Sequence, residues 1–112
     1  MLLDSDRIRI RHMVEAARQA LEYSESRNAL SVDAEPPIKA LLIRNLEILG
    51  EAASRITPEL RADHPQIPWR DMIEMRNRLI HAYYDIDMDI VWTTVRRALP
   101  GLLAQLEALI SE

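Results

Sequence analysis

The segment PPIKALLIRNLEILGEAASRI, residues 36–56, sets the fold class, because its apolar side chains recur with the period of an α-helix. Its two leading prolines are tolerated in a first helical turn, and Asp33 is expected to cap it. Thr57 and Pro58 end the helix, and Thr57 is also expected to cap a short turn. The side chains predicted to form the buried face are Ile38, Leu41, Leu42, Leu46, Leu49, Ala52 and Ala53.

A similar pattern predicts a helix before this segment. Asp4 or Ser5 is expected to cap this helix, which runs to about Ser26, and a polar connector over residues 28–35 follows it. On the other side of the long helix, the prolines of residues 64–68 exclude helix, because each biases its predecessor towards an extended conformation. The main loop of the chain is therefore expected there.

Two more helices complete the predicted fold. The third runs from Trp69 to about Tyr83, with Pro68 at its first position. The aspartate-rich residues 85–89 break it and cap a fourth helix, which Pro100 is expected to kink or split. Four amphipathic helices with short links predict an all-α fold, an antiparallel four-helix bundle with a kinked or split last helix.

The composition excludes several classes of function. A chain of 112 residues is too short for two domains, so residues 1–112 are expected to form a single helical domain. The absence of cysteine excludes disulfides, thiolate zinc sites and cysteine nucleophiles. No apolar run approaches the ~20 residues of a membrane span, and the charged start lacks a signal-peptide core, so we expect a cytoplasmic protein with no membrane partner. The net charge of −4 argues against non-specific coating of nucleic acid, but allows a local basic cleft.

The eight residues RNRLIHAY, 76–83, combine groups that suit chemistry on a phosphate. Arg76 and Arg78 offer forked N–H donors that match a phosphate. Histidine is the side chain best able to accept and donate a proton near neutral pH, so His81 is a candidate catalytic residue. Tyr83 adds a phenol that can donate a hydrogen bond or act as a nucleophile. These residues form the candidate active site.

The spacing leaves the geometry of this site open. At 100° per residue, Arg76 and Tyr83 share a face of the helix, whereas His81 lies about 140° from Arg76. Either the helix distorts near its end, or the site is assembled across a two-fold dimer. A simpler interpretation is a solvated helix face with a histidine that stabilises the helix C-terminus by ~0.3–1 kcal/mol.

A second polar group lies within the long helix. Arg44 and Asn45 precede Glu51, and Asn45 falls close to the apolar face, where a polar side chain needs a hydrogen-bond partner. Gly50 in a helix interior costs roughly 1 kcal/mol relative to alanine, so a close helix crossing is expected. Two interpretations stay open: a structural polar contact between helices, or the far wall of a site that faces residues 76–81 and supports substrate binding.

No metal ion or cofactor is predicted. Residues 85–89 begin like a calcium loop, but Ile90 and Arg96 replace the glycine and the bidentate glutamate that such a loop needs. The aspartates are therefore expected to cap a helix. His12 and His64 show no metal-ligand spacing and are expected to be solvated surface residues.

These residues resemble the HepT-like toxins of the HEPN superfamily of all-helical ribonucleases. Residues 76–83 fit that family's Arg-x4-His-x-Tyr motif. The sequence IPWRDM of residues 67–72, and the segment from Arg44-Asn45 to Gly50-Glu51-Ala52-Ala53, also look like the family. The resemblance covers the second and third helices and the order of all four.

The resemblance implies a metal-independent ribonuclease that acts as the toxin of a type VII toxin–antitoxin system, with tRNA or other structured RNA as its substrate. The implied partner is a MntA-like minimal nucleotidyltransferase, which in this family neutralises the toxin by transferring AMP to the motif tyrosine, here Tyr83. HEPN toxins are usually dimers whose two motifs line a shared cleft. A homodimer is therefore implied, and it would resolve the separation of His81 from Arg76.

Roles for the candidate residues follow from this mechanism. His81 would take the proton of a ribose 2′-OH or protonate the leaving oxygen, and a second His81 would serve the other role in a dimer. Arg76 would stabilise charge on the phosphoryl oxygens. Asn77 would orient His81 from four residues away, while Arg78 and Arg44 would hold flanking phosphates.

Two functions without chemistry are the alternatives. The first is a helical substrate-binding or adaptor subunit of a minimal nucleotidyltransferase, and the second is a structural dimerisation bundle. The pair of Arg76 and His81 favours the ribonuclease, because a binding subunit would lack it. An RNA degradation assay that compares the wild type with His81→Ala separates the three.

Overall fold

The computed structural model describes residues 2–82 and 85–111, and these residues form helices and no β-strand. The prediction of an all-α fold is confirmed, and its four helices correspond to α1, α3, α5 and the combined α6–α7. The elements are α1 (Asp4–Ser24), α2 (Ala29–Asp33), α3 (Pro36–Arg55), α4 (Pro58–Asp63), α5 (Trp69–His81), α6 (Met88–Thr93), a π-helical segment (Thr94–Ala98) and α7 (Leu99–Ile110).

Helix α3 joins the parts of the bundle, because it contacts both α1 and α5, while α1 also contacts α7. Its apolar face is buried as predicted at Leu42, Leu46, Leu49, Ala52 and Ala53, and Ile38 and Leu41 are partly buried. Burial of one large apolar side chain stabilises a fold by about 1.5–3 kcal/mol. The packing of α3 between α1 and α5 therefore holds these three helices together.

The connector between α1 and α3 is more ordered than predicted. Asn28 caps α2 through a reciprocal pair of bonds: its side chain accepts from the Ser31 N–H at 2.9 Å, and the Ser31 hydroxyl accepts from the Asn28 N–H at 2.9 Å. The prediction that Asp33 caps α3 is wrong, because Asp33 is the last residue of α2 and its carboxylate accepts from Lys39 at 3.0 Å. Glu35 precedes α3 without a side-chain cap bond.

A buried carboxylate joins the start of α1 to the end of α3. Asp6 is 2% exposed, and its two oxygens accept from the Thr57 N–H at 3.1 Å and the Thr57 hydroxyl at 2.6 Å. Thr57 in turn caps α4 by accepting from the Leu60 N–H at 3.3 Å, as predicted. The carboxylate and the cap thus form one network that fixes the N-terminal turn of α1.

The ends of α5 differ slightly from the prediction. Pro68 lies at the N-cap position and not at the first helical position, and the Trp69 indole N–H donates to the His64 carbonyl at 3.0 Å. The helix ends at His81, where the Ala82 N–H donates to the Arg78 carbonyl at 2.9 Å. The predicted end at Tyr83 lies outside the described residues.

The last helix accommodates Pro100 through the π-helical segment. Proline has no N–H to donate and its ring would collide with the carbonyl four residues earlier, here that of Arg96. In the structure the preceding Leu99 N–H donates to the Thr94 carbonyl, five residues back, so the helix widens before the proline. The predicted kink or split therefore takes the form of a π-turn between α6 and α7.

Candidate functional site

A close approach of α3 and α5 at Gly50 places Arg76 at the site. A Cβ atom added to Gly50 would collide with the Arg76 Cβ and would lie 2.6 Å from the Met72 carbonyl oxygen. Only glycine leaves room for this contact, so the close crossing predicted at Gly50 is confirmed. The backbone of α5 therefore packs directly against α3 at Gly50, and the Cβ of Arg76 lies at this contact.

The Arg76 guanidinium is held by a carboxylate of α3. Its Nη1 donates to one Glu51 oxygen at 2.7 Å, and the other Glu51 oxygen accepts from Arg55 Nε at 2.9 Å. The Arg76 side chain is 20% exposed, and its Nε is buried without a hydrogen-bond partner among the described residues. One carboxylate thus serves two guanidinium groups, and the cluster keeps a net positive charge.

This cluster lies in a cleft of about 690 Å³ between α1, α3 and α5. The four arginines and one histidine that line it outnumber the two glutamates, although the whole chain carries a net charge of −4. The cleft is therefore a local basic region suited to an anion. The lining residues are Ser5, Ile8, Arg9, His12, Arg44, Glu47, Ile48, Glu51, Ala52, Arg55, Arg76 and Ile80.

The structure places Arg44 and Asn45, neighbours in sequence, in different surroundings. Arg44 lines the cleft with Arg76, as the interpretation of a far wall expects. Asn45 is 3% exposed, and its side-chain N–H donates to the Gln19 Oε1 at 2.9 Å, which is a polar contact between α3 and α1. The structural polar contact therefore accounts for Asn45, and a role of Arg44 in substrate binding stays a prediction.

The other motif residues lie away from this cleft. Asn77, Arg78 and His81 are exposed, and none of them lines it. His81 is the last residue of α5, about 140° around the helix from Arg76. Within one chain the structure brings Arg76 and Arg44 together and does not bring His81 to them. Tyr83, the predicted AMP acceptor, lies outside the described residues.

Three basic residues of the cleft were given no functional role from the sequence. They are Arg9, His12 and Arg55. The spacing of Ile8 and His12 indicates a shared face of α1, because residues four apart lie on the same side of a helix. The sequence placed Glu51 in a polar group expected to face residues 76–81, but its bond to Arg76 depends on how α3 crosses α5.

None of the helices in the described ranges is long and apolar enough to cross a membrane. Within residues 2–82 and 85–111, no three His, Asp or Glu side chains are grouped so that they could hold a metal ion.

Known proteins with similar sequences belong to the same family that the motif of residues 76–83 resembles. The sequence profile of the family described as Ribonuclease HepT-like matches residues 13–109. A protein of Thermococcus cleftensis, named as a probable ribonuclease HepT, is 46% identical over 68 residues, which are 61% of this chain and 62% of that protein. A Methanocaldococcus jannaschii protein, named as a candidate RNase, is 32% identical over 95 residues, 85% of this chain and 87% of that protein.

The alignment thus spans less than two thirds of the Thermococcus relative and most of the Methanocaldococcus one. No solved structure matches the chain. Because the family profile covers most of the sequence, from α1 to α7, this protein belongs to the HepT-like ribonuclease family.

Proposed function

We propose that this protein is a ribonuclease that cleaves RNA without a metal ion and acts as the toxin of a toxin–antitoxin pair. The observation that carries the proposal is the seating of Arg76 in a basic cleft, where Gly50 permits its approach and Glu51 holds its guanidinium. Guanidinium groups stabilise the charge that develops on a phosphoryl group in its transition state. Membership of the HepT-like ribonuclease family supports RNA as the substrate, and tRNA or another structured RNA is the class we propose.

The proposed reaction is an internal transfer at phosphorus. The ribose 2′-oxygen gives its proton to one imidazole and forms a new bond to phosphorus, while the bond from phosphorus to the 5′-oxygen breaks. A second imidazole protonates the leaving 5′-oxygen. The products are a 2′,3′-cyclic phosphate and a 5′-hydroxyl, and Arg76 neutralises the phosphoryl oxygens throughout.

A homodimer is part of this proposal. One α5 helix directs Arg76 into the cleft, while His81 is exposed at the helix end on a different face. Two chains related by a two-fold axis would bring each His81 towards the other chain's Arg76 and would supply both imidazoles. Asn77 and Arg78, which are exposed on the same helix, would then orient His81 and hold a flanking phosphate.

Neutralisation by AMP transfer is the second part of the proposal. A MntA-like nucleotidyltransferase would transfer AMP to Tyr83, the last residue of the motif that also contains Arg76 and His81. The added phosphodiester would pair with the Arg76 cation that RNA needs. Co-expression with such an enzyme should raise the protein mass by whole AMP units and abolish cleavage, and Tyr83→Phe should prevent both changes. Modification at Tyr23 or Tyr84 would contradict this assignment.

The test of the ribonuclease function is an RNA degradation assay with purified protein, tRNA and EDTA. Arg76→Ala and His81→Ala should each lower the rate by ~10²–10³ while the helical circular dichroism spectrum is kept. Arg70→Ala is the matched control, because Arg70 lies on the same helix and its side chain is 90% exposed, outside the cleft. Folded Arg76→Ala and His81→Ala proteins that cut as fast as the wild type would rule out the proposed site.

A further inference from the structure

Helix α1 supplies one wall of the Arg76 cleft, and neither the motif nor the proposed mechanism gives that wall a role. Its lining residues are Ser5, Ile8, Arg9 and His12. They lie on one face over two helical turns, a rise of about 10 Å. This wall faces α3, with which α1 is in extensive contact, so its side chains lie across the cleft from Arg44.

The polar groups of this wall are arranged to receive an anion. Arg9 donates from Nη1 to the Ser5 carbonyl at 3.2 Å, which uses one of its five N–H donors and ties the guanidinium to the helix. His12 is exposed one turn further along the same face and carries an imidazole N–H. The two residues thus offer N–H donors one helical turn apart at the cleft surface, and the guanidinium of Arg9 is held by its own helix.

The cationic side chains on the two sides of this cleft outnumber the carboxylates available to pair with them. Glu51 is shared between Arg76 and Arg55, at 2.7 and 2.9 Å. Among the residues lining the cleft, Glu47 is then the acid that faces the cations of α1 and Arg44. The apolar side chains Ile8, Ile48 and Ile80 line the space between the polar groups. Cationic side chains separated by apolar ones suit a ligand in which anionic groups alternate with apolar rings.

We propose that Arg9 and His12 form a second phosphate-binding subsite, which takes the RNA phosphate next to the one held by Arg76. This inference rests on the proposed ribonuclease function and specifies its substrate as an unpaired RNA segment. A volume of about 690 Å³ is within the ~300–1,000 Å³ of small-molecule clefts, so it has room for one splayed nucleotide, and an unpaired strand offers a base that is free to leave its stack. The isoleucines would contact the base or ribose that joins the two phosphates.

The test measures binding separately from cleavage. The first probe is a short unpaired 2′-O-methyl RNA, which lacks the 2′-OH proton and cannot be cut. The second probe is the same strand annealed to its complement. Arg9→Ala and His12→Ala should each weaken binding of the unpaired strand by about tenfold. Arg9→Ala should also reduce the slope of log K against log salt by about 0.7, the value for one phosphate contact to a single strand. His12→Gln, which keeps an N–H donor, should restore part of the affinity.

The matched control is Arg11→Ala, which removes the same charge from the same helix. Arg11 is exposed and does not line the cleft, so its loss should change affinity by less than about twofold. With cleavable RNA, Arg9→Ala should raise KM about tenfold and leave kcat within about twofold, because the lost contact is equal in the ground and transition states.

The outcomes separate this inference from the proposed function. If the wild type cuts RNA but Arg9→Ala and Arg11→Ala bind the probe equally well, the subsite is wrong and the ribonuclease function stands. Equal affinity for the duplex and the unpaired strand would also overturn it. If Arg9→Ala converts a dimer to a monomer by light scattering, this wall is an interface between copies of the chain and not an RNA subsite. A wild type that neither binds the probe nor cuts RNA would refute both proposals.

Discussion

The inward and outward faces of α5 differ in how firmly their polar side chains are held. On the inward face Arg76 is 20% exposed and binds Glu51 at 2.7 Å. On the outward face Asn77, Arg78 and His81 are exposed, and their side chains make no hydrogen bond to any described residue. Residues of one motif therefore differ in their surroundings: the side chain of Arg76 is held by another helix of the bundle, whereas the other three are exposed to solvent.

The contrast indicates which side chains of the site one chain can position by itself. A cation that must stabilise a transition state is effective when it is already positioned, and the crossing of α3 and α5 provides that positioning. A histidine at a free helix end is not positioned by its own bundle. In the proposed mechanism another component positions His81, and we propose that this component is a second copy of the chain.

Co-expression of the wild type with His81→Ala has the largest expected effect. The His81→Ala dimer alone should lose ~10²–10³ in cleavage rate. If the two imidazoles of one site come from the two chains, a mixed dimer of wild-type and His81→Ala chains carries a single imidazole. The mixed dimer should then cut RNA nearly as slowly as the His81→Ala dimer, and not at half the wild-type rate.

The control for this mixing is the co-expression of differently tagged wild-type chains, whose doubly tagged dimer should keep full activity. Activity would be measured on the doubly tagged species after tandem purification. Half of the wild-type activity in a verified mixed dimer would show that each site uses one His81, and the outward face would need another explanation.

The second prediction concerns the crossing itself. Gly50→Ala should destabilise the protein by about 1–3 kcal/mol, because the added methyl overlaps the Arg76 Cβ and the helices must separate. Gly101→Ala is the matched control: nothing lies within 4 Å of a Cβ added there, so it should stabilise α7 by up to about 1 kcal/mol. Urea unfolding followed by circular dichroism measures both. Equal stabilities of the two variants would mean that α5 is not seated on Gly50.

The smallest expected effect tests how Arg76 is held. Glu51→Gln should lower kcat about tenfold without raising KM, because the guanidinium loses its anchor while the cleft loses a negative charge. Glu107→Gln is the control, since Glu107 also pairs with an arginine, Arg18, and its side chain is 42% exposed against 47% for Glu51. An unchanged kcat in Glu51→Gln would show that the contact at Gly50 alone positions Arg76.

The elements of the fold were predictable where they depend on local patterns. The buried face of α3, the Thr57 cap and the disruption at Pro100 each follow from residues close together in sequence. The short helix α2 was missed because its capping box pairs Asn28 with Ser31, and serine at that position is an unusual partner in place of glutamate or glutamine. The disruption at Pro100 takes the form of a π-turn, because the Leu99 N–H donates to the carbonyl five residues back; the sequence does not show which carbonyl accepts this bond.

The site was predictable only in part, for a different reason. Arg76, His81 and Arg44 were selected by their chemistry, and their catalytic and binding roles stay predictions. The contact of Arg76 with Gly50 and Glu51, and the presence of α1 in the cleft, depend on residues 25 or more positions apart. Such contacts are set by how whole helices cross, which periodicity within each helix does not encode.

The paired bonds of Asp6 have a consequence for the cleft, although Asp6 does not line it. A single hydrogen bond would let α1 rotate about it, but two oxygens on two donors of Thr57 fix both the rotation and the axial position of the helix. Sliding α1 by one residue would move its wall by about 1.5 Å and turn it by about 100°. The bonds between Asp6 and Thr57 therefore fix the register of α1 against α3. The distance across the cleft between the arginines of these two helices thus depends on a carboxylate that is buried outside the cleft.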